Sequence, residues 1–202
     1  MHALKNVSIK VEKGEFVAII GQSGSGKTTL MNILGCLDNL TAGEFYFMGK
    51  DVAAQHGRAL DRIRSQEIGF VFQGFNLIRS LTARENVELP LRYRRVPADE
   101  RHRLADSALR RVGLADRADH LPTQLSGGQQ QRVAIARAIS CAPPLILADE
   151  PTGNLDSRTG ADIMSLFHLL HGDGHTIVLI THDSAVAASA ERQLQICDGQ
   201  LV

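Results

Sequence analysis

The amino-acid sequence predicts an α/β fold: a mainly parallel sheet, with a small antiparallel β subdomain and an inserted α-helical subdomain. Two observations carry that expectation. The runs Phe16 to Ile20, Leu145 to Ala148 and Thr176 to Ile180 are almost uninterrupted apolar residues ending at polar ones, the pattern of parallel strands buried on both faces. Helical spacing follows the first run in Leu30, Ile33, Leu34 and Leu37, and recurs after Arg158 in Ile163, Met164, Leu166, Phe167 and Leu170. Strands that alternate with helices in this way build a parallel sheet.

The remaining segments fill in around that sheet. Between Leu4 and Val11, the apolar residues Val7, Ile9 and Val11 alternate with Asn6, Ser8 and Lys10, which predicts a strand with one wet face. Phe45 and Phe47 around Tyr46 repeat that pattern. From Gly74 to Cys141 the texture changes to charged, Leu- and Arg-rich segments with helical periodicity, including Arg101 to Val112. One folding unit is expected, in which residues 1–73 and 142–202 form the core with the β subdomain and residues 74–141 form the helical insertion. Arg92, Arg94, Arg95, Arg101, Arg103, Arg110 and Arg111 are interleaved with Asp99, Glu100 and Asp106, so they read as a solvated helical face of surface pairs.

Composition narrows the function classes. Of the 202 residues, 44% are hydrophobic and 22% charged, enough apolar material for a sizeable core and no sign of disorder. Lys plus Arg equal Asp plus Glu at 22 each, which removes the basic excess expected of a nucleic-acid-binding domain. Cys36, Cys141 and Cys197 lie far apart without paired spacing, and read as small buried thiols in a reducing compartment rather than a zinc site or disulfide framework. Met1 to Lys10 lacks the continuous apolar core of a signal peptide, and no later run approaches a membrane-spanning length. The expectation is a soluble, cytoplasmic chain.

The string Gly21-Gln22-Ser23-Gly24-Ser25-Gly26-Lys27-Thr28, followed by Thr29, fits the spacing G-x-x-x-x-G-K-[ST] and sits between a buried strand and a helix. Its glycines let the backbone curl so that successive N–H groups point into one concavity, and the helix adds the positive end of its dipole. Lys27 would neutralise the β- and γ-phosphates of ATP, and Thr28 would present its hydroxyl to Mg²⁺. A dinucleotide reading fails on spacing, because Thr29 stands where G-x-G-x-x-G needs its third glycine. The run Leu145 to Ala148 ends in Asp149-Glu150, which puts two carboxylates at the carboxyl edge of a buried strand, where ligands of open α/β sheets sit. Asp149 would hold the metal's water shell, and Glu150 would take a proton from the attacking water.

Leu125-Ser126-Gly127-Gly128-Gln129, placed between that loop and the Asp-Glu strand, resembles the signature of ABC ATPases. Its glycines expose backbone N–H groups at the start of a helix over Gln129 to Ala138, a second anion site. The resemblance implies a P-loop NTPase with a RecA-like core. It also implies that Ser126, Gly127, Gly128 and Gln129 cap the γ-phosphate bound by a second copy in a head-to-tail dimer. Gln73 in Phe72-Gln73 looks like the Q-loop, Asn154-Leu155-Asp156 like the D-loop, and His182 in Thr181-His182-Asp183 like the switch histidine. By that resemblance Gln73 contacts Mg²⁺ and the water and couples to the membrane subunit, while His182 bonds the γ-phosphate.

Finer texture narrows the resemblance. Leu34 to Asp38, Gly69 to Gln73, Gln129 to Arg132 and Ala148 to Asp156 resemble the MacB, LolD and FtsE group. The resemblance implies an ATP-hydrolysing motor on the cytoplasmic face of the inner membrane, joined to a MacB-, LolC-, LolE- or FtsX-like transmembrane partner. MacB-like macrolide or peptide export ranks slightly ahead of LolD-like lipoprotein release. An FtsE-like signalling ATPase stays open, while a nucleic-acid ABC ATPase lacks room for its coiled coil or tandem unit. At Met1-His2-Ala3-Leu4, family members carry an earlier strand and an aromatic residue that stacks on adenine, so an amino-terminally truncated member is expected. His2 is not taken as a replacement for that ring, and the tyrosines, Tyr46 and Tyr93, lie at positions the family does not use for it.

Overall fold

Each buried apolar run forms a strand because a helix returns the chain to the same end of one sheet. The computed structural model describes residues 3–202, so His2 lies outside the described residues. The chain passes from β1 (Phe16–Ile20) to α1 (Lys27–Leu34), a hairpin of β2 (Tyr46–Phe47) and β3 (Lys50–Asp51), α2 (Arg58–Glu67) and β4 (Ile68–Phe72). Three helices follow, α3 (Ala83–Tyr93), α4 (Ala98–Arg111) and α5 (Gly127–Ile139). The chain then returns through β5 (Leu145–Asp149), α6 (Ser157–Gly172), β6 (Thr176–Thr181), the short α7 (Ser184–Ala187), β7 (Arg192–Cys197) and β8 (Gln200–Leu201). The sheet order is β4-β5-β6-β1-β7-β8, with β8 antiparallel to β7 and every other neighbouring pair parallel.

Alternation along the strands feeds two cores. Phe16, Ala18, Ile146, Ala148, Ile177 and Leu179 face a cluster that includes Val87, Leu109, Val133 and Phe167 of α3, α4, α5 and α6. Ile19, Leu145, Leu147, Val178 and Ile180 face the other side, with Leu30 and Met31 of α1, Phe47 of the hairpin and the preceding Phe45. The segment over residues 74–141 therefore shares its apolar core with one face of the sheet.

Several expectations are corrected. Leu4 to Val11 forms no strand: Leu4, Ile9 and Val11 pack against the second cluster, and the Lys5 N–H donates to the Gly199 carbonyl at 2.7 Å. Its one-sided alternation is satisfied by packing alone. Helix α1 stops before Leu37, which is exposed. Of the cysteines only Cys36 is buried, and Cys197 is exposed.

The seven arginines do not share one fate. Arg94 reaches across to the carbonyls of Ser65, Gln66 and Cys141, tying the end of α3 to the ends of α2 and α5. Arg101 Nε and Arg92 Nη2 lie 2.9 and 3.1 Å from Oε2 of Glu88, a carboxylate with no exposed surface. His102 Nδ1 is 2.5 Å from the other oxygen but off the axis of a good hydrogen bond, since that oxygen has no bonded partner; the two arginines carry the pairing. Asp106 pairs with Arg84 of α3 rather than within its own helix. Removing one partner of a buried ion pair leaves uncompensated charge, so Glu88→Ala should destabilise the chain by about 3–5 kcal/mol. A lowered urea midpoint would show this.

Candidate active site

Strand order brings together motifs that are far apart in sequence. Phe72 pairs with Asp149, Asp149 with Ile180, and Ile20 with Thr181. Gln73, Glu150, His182 and Gly21 thus follow the carboxyl ends of four adjacent strands, β4, β5, β6 and β1, in one row.

The loop after β1 is shaped for an anion. Gly24 and Gly26 have φ of +80° and +105°, a region that glycine enters without a Cβ penalty, and Gly26 leads directly into α1. Lys27 is 9% exposed and folds back so that Nζ donates to the Gly21 and Gln22 carbonyls at 2.6 and 2.8 Å. The Ser25 hydroxyl is buried without a partner. A folded-back ammonium and an orphaned donor in one curled loop fit a multiply charged phosphate, to which both could turn. For a cation, the Thr28 hydroxyl, Gln73 amide oxygen and Asp149 carboxylate are hard oxygen donors, the type Mg²⁺ takes.

Glu150 is held on its backbone and on its side chain. Its φ is +44°, uncommon for a side chain with a Cβ, and it is held there by its N–H on the Ile180 carbonyl at 2.8 Å and its carbonyl under the Gly153 N–H at 3.0 Å. The Thr181 hydroxyl donates to Glu150 Oε2 at 3.0 Å while accepting from the Asp183 N–H, also at 3.0 Å. The backbone bond leaves the Thr181 proton to the carboxylate. His182 Nδ1 lies 2.7 Å from Glu150 Oε1. A carboxylate only accepts, so the imidazole proton is on Nδ1 and Nε2 is free.

The signature turn stands apart from this row, and no hydrogen bond among the described residues joins it to the phosphate loop. Ser126 caps α5: its Oγ accepts from the Gln129 N–H at 3.3 Å, and Gln129 Oε1 accepts from the Ser126 N–H at 2.9 Å. This capping box uses the Gln129 donor, leaving the N–H groups of Gly127 and Gly128 at the helix end. A Cβ on Gly128 would fall 2.3 Å from Cγ2 of Thr159, so only glycine lets the first turn of α6 approach. Asp156 fixes that turn, accepting from the Thr159 N–H and hydroxyl at 3.0 and 2.7 Å; the Thr159 hydroxyl bond is the main reason its carboxyl titrates below the usual range.

The sequence matches the family profile described as ABC transporter over residues 4–153. The chain belongs to the ABC transporter family. It is 53% identical over 202 residues to the pyoverdine export ATP-binding/permease protein PvdT of Pseudomonas aeruginosa, and 50% identical over the same span to the macrolide export ATP-binding/permease protein MacB of Aggregatibacter actinomycetemcomitans. All of this chain is covered in both matches, but it spans only 30% and 31% of the length of those relatives. Among solved structures, the dimeric ATP-binding cassette MJ0796 bound to ADP and Pi matches with a TM-score of 0.90 at 50% identity, covering 98% of this chain and 88% of that one. The α/β architecture with its mostly parallel sheet is that of an ABC ATPase domain.

Within this ABC domain, the row at the strand ends is supported by groups to which no sequence motif assigned an individual role. Thr181 orients Glu150 although it reads only as the polar end of an apolar run. Arg137 of α5 donates to the carbonyls of Phe75 and Asn76, just beyond Gln73; burial lowers its pKa below the usual arginine value, yet a guanidinium stays charged. Nothing in its spacing marks it. Asn154, expected only as part of a loop string, contacts Gln73 directly.

Asp149 carries a cost. Burial first, and then the neighbouring Glu150 charge, raise its pKa, against a smaller lowering by Lys27. Between its ordinary value of 3.8 and the raised one, the folded chain holds a proton that the unfolded chain has lost. Stability therefore falls as pH rises through that window. Asp149→Asn should raise the melting temperature of the ligand-free chain at neutral pH, with the gain vanishing below the ordinary carboxylate value. Thermal melts across pH in EDTA measure it.

Proposed function

We propose that this domain hydrolyses ATP to ADP and phosphate as the motor of an exporter, each site being completed by a second copy arranged head to tail. The observation that carries the reading is the Glu150 carboxylate, held by Thr181 and His182 at the strand end beside Asp149, one strand removed from the phosphate loop's own strand.

In this reading the N–H groups of residues Gly24 to Thr29 cradle the phosphates, and Lys27 leaves the Gly21 and Gln22 carbonyls to neutralise the β- and γ-phosphates. Thr28, Gln73 and Asp149 would hold Mg²⁺, which would supply positive charge against that of the phosphates. Glu150 accepts the proton of the attacking water as the new P–O bond forms at the γ-phosphorus and the bond to the ADP oxygen breaks. Each carboxylate oxygen has two lone pairs, so the bonds from Thr181 and His182 orient the base without using it up. A phosphate oxygen at His182 Nε2 calls for a second ring proton, and Glu150 balances the imidazolium that results.

Ser126, Gly127, Gly128 and Gln129 of the second copy face the γ-phosphate, supported by the free N–H groups at the start of α5. The PvdT and MacB relatives are named as export ATP-binding/permease proteins, which supports a MacB-like transmembrane partner over a LolC-, LolE- or FtsX-like one. It also supports a peripheral position at the cytoplasmic face of the inner membrane. No described helix is long and apolar enough to cross a membrane.

Two variants test the chemistry. Lys27→Ala should abolish ATP binding in a titration; wild-type turnover in that variant would sink the phosphate-loop assignment. Glu150→Gln should bind ATP normally, lose hydrolysis by about 100-fold or more, the lower end of the usual general-base contribution, and elute as a dimer with ATP in size-exclusion chromatography. A variant that still hydrolyses would remove Glu150 as the base.

A further inference from the structure

Gln73 and Asn154 exchange two hydrogen bonds across the gap between the end of β4 and the loop that follows β5. Gln73 Nε2 donates to Asn154 Oδ1 at 3.2 Å, and Asn154 Nδ2 donates to the Gln73 carbonyl at 3.0 Å. Gly153 permits the contact, because a Cβ there would fall 2.7 Å from Gln73 Nε2. Just beyond, the Arg137 guanidinium holds the Phe75 and Asn76 carbonyls while both residues adopt left-handed φ of +60° and +50°. The loop backbone and the Gln73 side chain are thus fixed by separate contacts.

A primary amide has two ends, and only its oxygen serves a hard cation. Asn154 commits its NH₂ to a carbonyl, which can only accept. Its Oδ1 is then the atom that meets Gln73, and an oxygen there accepts the Gln73 NH₂ and repels the Gln73 Oε1. We infer that Asn154 is a positioning residue that selects the amide orientation of Gln73, leaving Oε1 rather than NH₂ for the metal and the attacking water. This rests on Gln73 as a Mg²⁺ ligand, proposed above, and adds the device that turns the right atom toward it. Asn154 would also link the strand that carries Gln73 to the loop that runs into Asp156 and the signature turn, so a shift of either moves the other.

The test compares wild type with Gln73→Ala, Asn154→Ala and Gly153→Ala in the intact chain. Gly153→Ala displaces the flexible end of Gln73 without touching Asn154. Binding of Mn²⁺ in the presence of saturating ATP is followed by electron paramagnetic resonance, alongside ATP affinity in EDTA and the thermal melt. Asn154→Ala and Gly153→Ala should raise the Mn²⁺ concentration for half-saturation by about tenfold, the scale of an outer-shell loss, and Gln73→Ala by at least as much, with ATP affinity in EDTA unchanged. A shift in Gln73→Ala alone overturns the positioning role and leaves Gln73 as a ligand. No shift in Gln73→Ala removes the ligand itself and the inference with it.

Discussion

The order of strands in the parallel sheet is the constraint on which everything else rests. Strand β1 lies between β6 and β7, although more than half the chain separates it from either in sequence. Both faces of the central strands are apolar, one set packing on α3 to α6 and the other on α1 and the hairpin. A one-residue slip of any central strand would exchange its faces between two cores of different shape. Register is therefore firmly set, and with it the placement of Gln73, Glu150, His182 and the phosphate loop along one edge.

Several of the site's polar groups are bonded within the domain. Lys27 turns to the carbonyls of its loop, Glu150 receives Thr181 and His182, and Ser126 closes a box with Gln129. On the proposed reading, each of these bonds would be exchanged or shared on phosphate binding. Binding energy is then a difference between two bonded states rather than a gain from empty space. The raised pKa of Asp149 belongs to the same economy, since two carboxylates beside one another at a buried strand end destabilise the free chain and favour a cation.

Much of this was readable from the residues, for physical reasons. Strands buried on both faces appear as apolar runs, so β1, β5 and β6 could be placed within a residue or so of where they lie. A phosphate loop declares itself because glycine positions and the lysine are fixed by backbone geometry. The edge strand β7 has no such run: Arg192, Gln193 and Gln195 are exposed and only Ile196 is buried. Leu4 to Val11 has the alternation of a strand but is paired in register with none of the described strands. Side-chain roles that depend on tertiary approach were also hidden. Arg94 and Arg101 look like their neighbours in a charged helix, yet one bridges three carbonyls and the other answers a buried Glu88. Asn154 became meaningful only once Gln73 was beside it.

The central claim is that a single chain supplies two different halves of two sites. The most direct measurement is a structure of the Glu150→Gln chain with ATP and Mg²⁺. The expected result is a dimer in which the β- and γ-phosphates lie against Lys27 and the N–H groups of residues Gly24 to Thr29. The γ-phosphate should also meet the Ser126 to Gly128 turn of the other copy. Nucleotide bound away from that loop, or a γ-phosphate contacted only by groups of its own chain, would contradict it.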